Sequence, residues 1–433
     1  MTKKIQQTLL PIKLEPSEEK LTSLAGLVVL EEMARGKRLW EMVDEEFTGP
    51  GSGRGYKASE IVKPLVWMLT AGGRTLEDVR ELRAEQEVLS KLGLKRVPDA
   101  GTTGDWLRRQ GTKGGTQAGE RVNEKMIAQY LAKQGEELTL DPDATIIEAD
   151  KQEAQWTYKK TRGYQPMMAY VNEVCVHWEF REGNEQAGSK AIEFLQACEK
   201  KLPEDKAIYL RSDSAYYQRE VIERYSEPGR NFSITADQDS AVKEGTQQIP
   251  EDHWQRYYDK AGARTDREIA ETVHCMNHSK QAFRLIVLRW ENPQPGLFEQ
   301  SRYCYHAVAS NRPQTETATE VIRKHNARGE SENWHKELKV GYAMEQMPCG
   351  ETAANAMYFA IGVLAYNLGV LLKEDVLPEE YRRSKIATLR WQIYRLAGKL
   401  VRHGRQWILR VKTDAEKLAM LMSARQKCYE LSG

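Results

Sequence analysis

The sequence predicts a mixed α/β chain: a helical region first, then a mixed sheet with helices on both faces, interrupted by a mostly β insertion. Three observations predict it. Apolar residues recur at helical spacing through 21–131, short runs rich in Val, Ile, Tyr and Trp take over beyond Gly135, and amphipathic helical stretches separate the later runs. A chain of 433 residues suits two or three domains, and 40% hydrophobic residues are ample for a buried core, which excludes global disorder. The 64 basic and 63 acidic residues cancel overall. Their distribution is uneven, because 382–412 holds ten Lys or Arg and no Asp or Glu. Phosphate binding and a solvated face both produce such a run. The six cysteines show no Cys-x-x-Cys spacing, which suits a reducing cytosol and speaks against a zinc ribbon.

Residues 1–20 read as a flexible lead-in without the apolar core of a signal peptide. From 21 to 133 the pattern is helical, broken at 49–55, 72–73 and 95–104. Ser59 is placed to cap a helix through Ile61, Leu65 and Leu69 that Gly72 and Gly73 stop. Thr75 is placed likewise for 76–92, with Glu77 and Asp78 in the first turn. Thr102 and Thr103 precede a short helix ending in Arg108 and Arg109. Short helices between Gly turns read either as a helix-turn-helix DNA-binding module or as an ordinary bundle.

Next, 137–149, 166–172 and 174–180 read as strands, 192–202 as a helix capped by Ser189, and 207–210 as a fourth strand. A helix at 218–225 and a strand at 231–235 follow. This β-β-β-α-β-α-β order is that of the ribonuclease-H-like fold. Residues 237–311 interrupt it: Trp254, Tyr257 and Tyr258 precede two strand-like runs, 283–290 and 303–309, joined across the turn-rich 292–296. The second run is expected to return to the main sheet. After a helix at 325–339 comes a core helix at 351–372, whose Asn355, Tyr358 and Asn367 speak against a membrane span. The basic stretch and a polar helix at 413–431 close the chain. The organisation expected is a lead-in at 1–20, an all-α DNA-binding domain at 21–133, a catalytic core in two parts at 134–236 and 312–375, the insertion at 237–311, and a basic helical C-terminal region at 376–433.

Chemistry concentrates at 325–339. A helix turns about 100° per residue, which sets His325, Arg328, Glu332, Lys336 and Lys339 on one stripe and Ala327, Trp334 and Leu338 opposite. Alone, this reads more readily as a solvated face laced with ion pairs. Two aspartates change the reading. Asp143 stands on the first strand and Asp213 just past the fourth, and a ribonuclease-H-like sheet makes those strands adjacent, so the carboxylates converge. A third acid from a helix would complete a site for two Mg²⁺ ions, because hard cations take carboxylate oxygens. Glu332 shares its stripe with Arg328 and Lys339, whereas Glu337 is turned about 140° away and is expected in a peripheral ion pair.

These residues resemble a known family. Arg328, Glu332 and Lys339 fit the signature Tyr-(2)-Arg-(3)-Glu-(6)-Lys of bacterial insertion-sequence transposases of the DDE type, with His325 in the place of the tyrosine. The Asp-x-Thr at Asp143 and the Leu-Arg-x-Asp-Ser around Asp213 also look like family motifs. The resemblance implies cut-and-paste DNA transposition by a cytoplasmic bacterial protein, acting on double-stranded terminal inverted repeats and target DNA as a homodimer. It implies Asp143, Asp213 and Glu332 as ligands of two Mg²⁺ ions, which Mn²⁺ can replace. Arg328 and Lys339 would contact DNA phosphates; His325, Lys336, Arg108 and Arg109 are further DNA-binding candidates. Trp254 and Trp290 in the insertion are candidates for stacking on an unpaired base, against plain core packing. Pro142 is awkward inside a strand, which leaves Asp141 as an alternative ligand. The rivals are a nuclease of the same fold that cuts without joining and a non-catalytic DNA-binding descendant, which the presence of all three acids disfavours.

Overall fold

Helical spacing in the first third of the chain produces α1 (Leu27–Gly36), α2 (Ala58–Ala71), α3 (Ala100–Gly111) and α4 (Gly115–Ala132). The computed structural model describes residues 9, 12, 14–50, 53, 55–292 and 302–431. Parts of the lead-in and of the break at 49–55, and the turn residues 293–296, therefore lie outside the described residues. The caps differ from those expected. Ser59 does not cap α2, since its N–H and hydroxyl both donate to Asp44. Asp99, not a threonine, starts α3 by accepting from Thr102 N at 2.8 Å. The helix expected across 76–92 divides into a 3-10 turn, Leu76–Asp78, and the helices Val79–Ala84 and Gln86–Leu92; at the second break the Glu85 carboxylate accepts from the hydroxyls of Thr22 and Ser23.

Beyond Gly135 the strands assemble into one nine-stranded sheet. They are β1 (Glu137–Ala144), β2 (Met167–Val171), β3 (Val174–Glu179), β4 (Ala207–Ser212), β5 (Arg230–Thr235), β6 (Gln255–Tyr258), β7 (Arg264–Cys275), β8 (Ala282–Glu291) and β9 (Tyr303–Ser310). Their order is β6-β7-β8-β9-β5-β4-β1-β2-β3. Only β1–β4 and β4–β5 pair parallel, and α5 (Ala191–Glu199) and α6 (Arg219–Tyr225) are the helices that lead into β4 and β5. The insertion prolongs this sheet past β5, and β9 returns to pair with β5 as expected. Strand β7 departs from the sequence expectation: exposed charged side chains occupy much of its length, so it lacks an apolar run.

The helices α7 (Ala318–Asn326), α8 (Gly329–Lys336) and α9 (Thr352–Asp375) follow. The C-terminal region is not helical throughout. Within the basic stretch, β10 (Gly398–His403) and β11 (Gln406–Val411) form a hairpin, with Gly404 at φ 58° in its two-residue turn. Strand β10 also pairs with Leu21–Thr22, so the N-terminal region carries a short strand as well as helices. The last helix, α10 (Ala415–Glu430), packs on α1.

The centre of this packing is α9. It contacts α1, α2, α3 and α4, and every residue from Met357 to Leu372 is buried, which marks it as a core helix. Two glycines on one stripe admit the segment after α8: a Cβ on Gly362 would meet Met344 Sδ at 1.9 Å, and one on Gly369 would meet Tyr342 Oη at 2.1 Å. Asn367, fully buried, accepts from Cys175 N at 2.9 Å and donates to Cys175 O at 2.8 Å and Asn123 Oδ1 at 2.7 Å. One side chain thus joins α9, β3 and α4. Asn367→Leu leaves buried partners unsatisfied and is expected to lower stability by about 2–4 kcal/mol. A chemical-denaturation midpoint equal to the parent's would show that the network does not secure the core.

Candidate active site

The register of two parallel strands builds the site. Strands β1 and β4 pair residue for residue from Glu137↔Ala207 to Leu140↔Leu210, so continuing the two strands sets Asp141 beside Arg211 and Asp143 beside Asp213. Thr145 donates to Pro166 O on the β2 side at 3.0 Å, so by alternation Pro142 faces β4. It has no N–H to give, and the ladder ends at Leu140, two residues before it. The awkward proline therefore sits where β1 and β4 part, and the aspartates lie just beyond.

The two candidate aspartates of β1 have different fates. Asp141 is buried and accepts from Arg211 Nε and Nη2 at 2.6 Å each. Arg211 also donates to Lys324 O near the end of α7 at 2.8 Å. Both carboxylate oxygens of Asp141 are thereby committed. Asp143 is partly open, accepts from its neighbour Ala144 N at 2.8 Å, and stands 3.4 Å from Arg328 Nη1. Burial and then the charge of Asp213 push its carboxyl up to about 6, against the pull of Arg328. Asp213 also caps the 3-10 turn Ser214–Tyr216, accepting from Ala215 N at 3.0 Å.

The helix expected at 325–339 is interrupted twice. After α7 ends at Asn326 the chain bends, α8 starts at Gly329, and Glu337–Gly341 is a π-helical turn. The five polar residues therefore do not share one stripe. His325 does not face solvent: it is buried, with Nδ1 3.0 Å from Ser233 Oγ and Nε2 3.0 Å from Thr235 Oγ1 on β5. Burial drives its imidazole down to about 3, so it is neutral and unsuited to hold phosphate. Lys339 donates to Ile146 O, just past β1, at 2.6 Å; burial foremost, and also nearby Lys159, hold its ammonium below the usual range. Lys336 is exposed. Glu332 is exposed too, near enough for its charge to act on Asp143. No three acidic, His or Cys side chains are gathered closely enough to hold a metal ion among the described residues. Among the described residues Glu337 makes no ion pair of the kind expected; its carboxylate accepts from Ile386 N at the start of the short helix Ile386–Leu389.

The sequence matches the family described as transposase DDE domain group 1 over residues 7–432. The chain belongs to that family. No curated protein matches it. Among solved structures it is similar to a piggyBac transposase synaptic complex with hairpin DNA, at 10% identity and a TM-score of 0.41, covering 86% of this chain and 79% of that one.

Elsewhere in this transposase, several candidate DNA contacts are engaged within the protein. Arg108 pairs with Glu351 at 3.0 Å and Asp105 at 3.1 Å, while Arg109 is exposed. Trp254 is covered by the Arg289 guanidinium at 4.1 Å and Trp290 by that of Arg267 at 4.8 Å. Trp290 lies on β8, four strands from β1 in the sheet order. Arg211 was missed by sequence reasoning. Its signal is present in the Arg-x-Asp of β4, which repeats the two-residue spacing of Asp141 and Asp143 on β1.

The two aspartates should respond to substitution with opposite signs. Asp141→Ala leaves a buried guanidinium unpaired and is expected to cost about 3–5 kcal/mol. Asp143→Asn, measured without divalent ions at pH 7.5, is expected to stabilise by about 1–3 kcal/mol, because the charge it removes is disfavoured in the folded chain. That penalty builds between about pH 4, above which the unfolded carboxyl is ionised while the folded one keeps its proton, and about pH 6, where Asp143 ionises in the folded chain; the gain should therefore vanish below about pH 4. Thermal melts across pH would show equal losses for both variants if the division of roles were wrong.

Proposed function

We propose that this member of the DDE family cuts DNA at the ends of a mobile element and joins the freed 3′ ends to target DNA. The observation that supports the reading is that Asp143 and Asp213 lie just past the end of the β1–β4 ladder, close enough for the charge of Asp213 to act on Asp143. Together with the order of the first five strands, it supports a ribonuclease-H-like catalytic sheet. Carboxylate oxygens are the donors that hard divalent cations take, and exposed Glu332 would have to swing in to complete the set. Two carboxylates repel each other there, and Arg328 alone is in ion-pair contact with Asp143 among the described residues. Asp143 and Asp213 would hold two Mg²⁺ ions, or Mn²⁺ in their place, with Glu332 supplying the third carboxylate from the edge of α8. Bound there, the ions would activate an attacking water or 3′-hydroxyl and stabilise the leaving oxygen.

The chain's own cations flank that centre. Arg328 would hold a phosphate beside Asp143, and Lys339 would fix the segment after β1 while offering its remaining charge to the backbone. Recognition of inverted repeats is assigned to the helical region at 21–133, with exposed Arg109 at its surface. A homodimer would bring two ends together.

DNA carrying the termini that flank the gene, incubated with the purified protein and Mg²⁺ or Mn²⁺, tests the proposal. Nicking followed by joining to a second duplex is expected. Asp143→Asn, Asp213→Asn and Glu332→Gln should each reduce it to background while retaining DNA binding. Glu337→Gln should still cut, because that carboxylate caps a neighbouring helix. Cutting without joining would make the protein a nuclease, and activity in Glu332→Gln with none in Glu337→Gln would overturn the site.

A further inference from the structure

A hairpin springs from the end of β1 and takes no part in the site described so far. Ile147–Glu148 pairs with Gly163–Tyr164, and Gln155–Trp156 pairs with Arg162–Gly163. The frame is firmly held. Arg162 donates to Asp150 Oδ1 at 2.9 Å, to Lys151 O at 2.8 Å and to Ala154 O at 3.0 Å. Thr157 N donates to Thr161 O at 2.8 Å, and Lys160 turns the chain at φ 62°. A Cβ on Gly163 would meet Ile147 O at 2.1 Å, so the strands approach as closely as their backbones allow.

The side chains at the tip are not used in holding this frame. Trp156 is 65% exposed and Tyr158 74%, and Lys159 and Lys160 are exposed beside them. Lys159 lies near enough to Lys339 for their charges to oppose each other. Two large aromatics left in water next to Lys159 and Lys160 are complementary to a ligand with flat apolar faces and an anionic backbone.

We propose that this hairpin is a stacking platform for single-stranded DNA beside the cut. Trp156 and Tyr158 take the base faces, and Lys159 and Lys160 take the phosphates. A braced frame suits the task, since little side-chain and loop ordering is then lost on binding. The inference rests on reading the adjacent carboxylates as a DNA-processing centre, but its test needs no cleavage.

The full-length protein, without divalent ions, is titrated with a mixed-sequence single-stranded oligonucleotide containing 2-aminopurine. Affinity is read by anisotropy and stacking by quenching of the 2-aminopurine. Trp156→Ala and Tyr158→Ala are each expected to bind roughly tenfold more weakly and to lose quenching, while Trp156→Phe keeps both. Replacing Lys159 and Lys160 together with Ala should flatten the log–log salt dependence by about 1.4. Circular dichroism matching the parent's is expected throughout, because these side chains are exposed. Unchanged affinity and quenching in the alanine variants overturns the inference. If binding follows Trp156 and Tyr158 but the protein neither cuts nor joins DNA, the proposed function fails and the platform stands. If the protein cuts and joins DNA while the alanine variants bind the oligonucleotide as the parent does, the platform fails and the proposed function stands.

Discussion

The ion pair between Asp141 and Arg211 lies where the backbone ladder of β1 and β4 runs out. Pro142 cannot donate the next hydrogen bond, and two 2.6 Å contacts between side chains hold the strands at that point instead. A buried pair of this kind is weak evidence of net stability, because desolvation offsets much of the attraction. Its contribution here is position. Arg211 also reaches the carbonyl of Lys324, so one guanidinium sets the spacing of two strands and the placement of the helix that precedes Arg328. Asp143 and Asp213 lie just beyond this pair, close enough for the charge of Asp213 to act on Asp143.

The interrupted helix is held from several sides. His325 anchors α7 to β5, Lys339 ties the π-helical turn to the segment after β1, and Glu337 caps the helix at Ile386. Met344 and Tyr342 then lock into the glycine notches of α9. Each anchor fixes a different stretch, which is why a regular helical twist is not kept through 325–341. Glu332 lies between anchors on the exposed side of α8, with freedom that the two aspartates lack.

Much of the core sheet was legible because strands buried on both faces must be apolar. The runs at 167–171, 174–179 and 207–212 are of that kind, and Asp143 and Asp213 stand out against them. Strand β7 and the β10–β11 hairpin were not legible, since both are largely exposed and carry charge where a pattern would need Val or Ile. Breaks in the 325–341 stretch come from distant partners, which local periodicity cannot register. Residue type likewise marked Trp254, Trp290 and His325 without revealing their neighbours. Two arginines cover the tryptophans, and a pair of β5 hydroxyls takes up the histidine. The family match was legible from three short motifs, and its extent over 7–432 exceeds the stretch those motifs span.

The pairing of Leu21–Thr22 with β10, and of α1 with α10, bears on how the chain folds during synthesis. At roughly 5–20 residues per second, on the order of 20 to 75 s separate the emergence of the first strand from that of its partner. Through that interval the N-terminal segment has no sheet edge to join, and α1 keeps part of its apolar face unburied. A nascent chain halted before residue 398 can make every strand of the large sheet and still not close its two ends together. Until residues 398–430 have emerged, that unburied face of α1 would be open to chaperones and proteases.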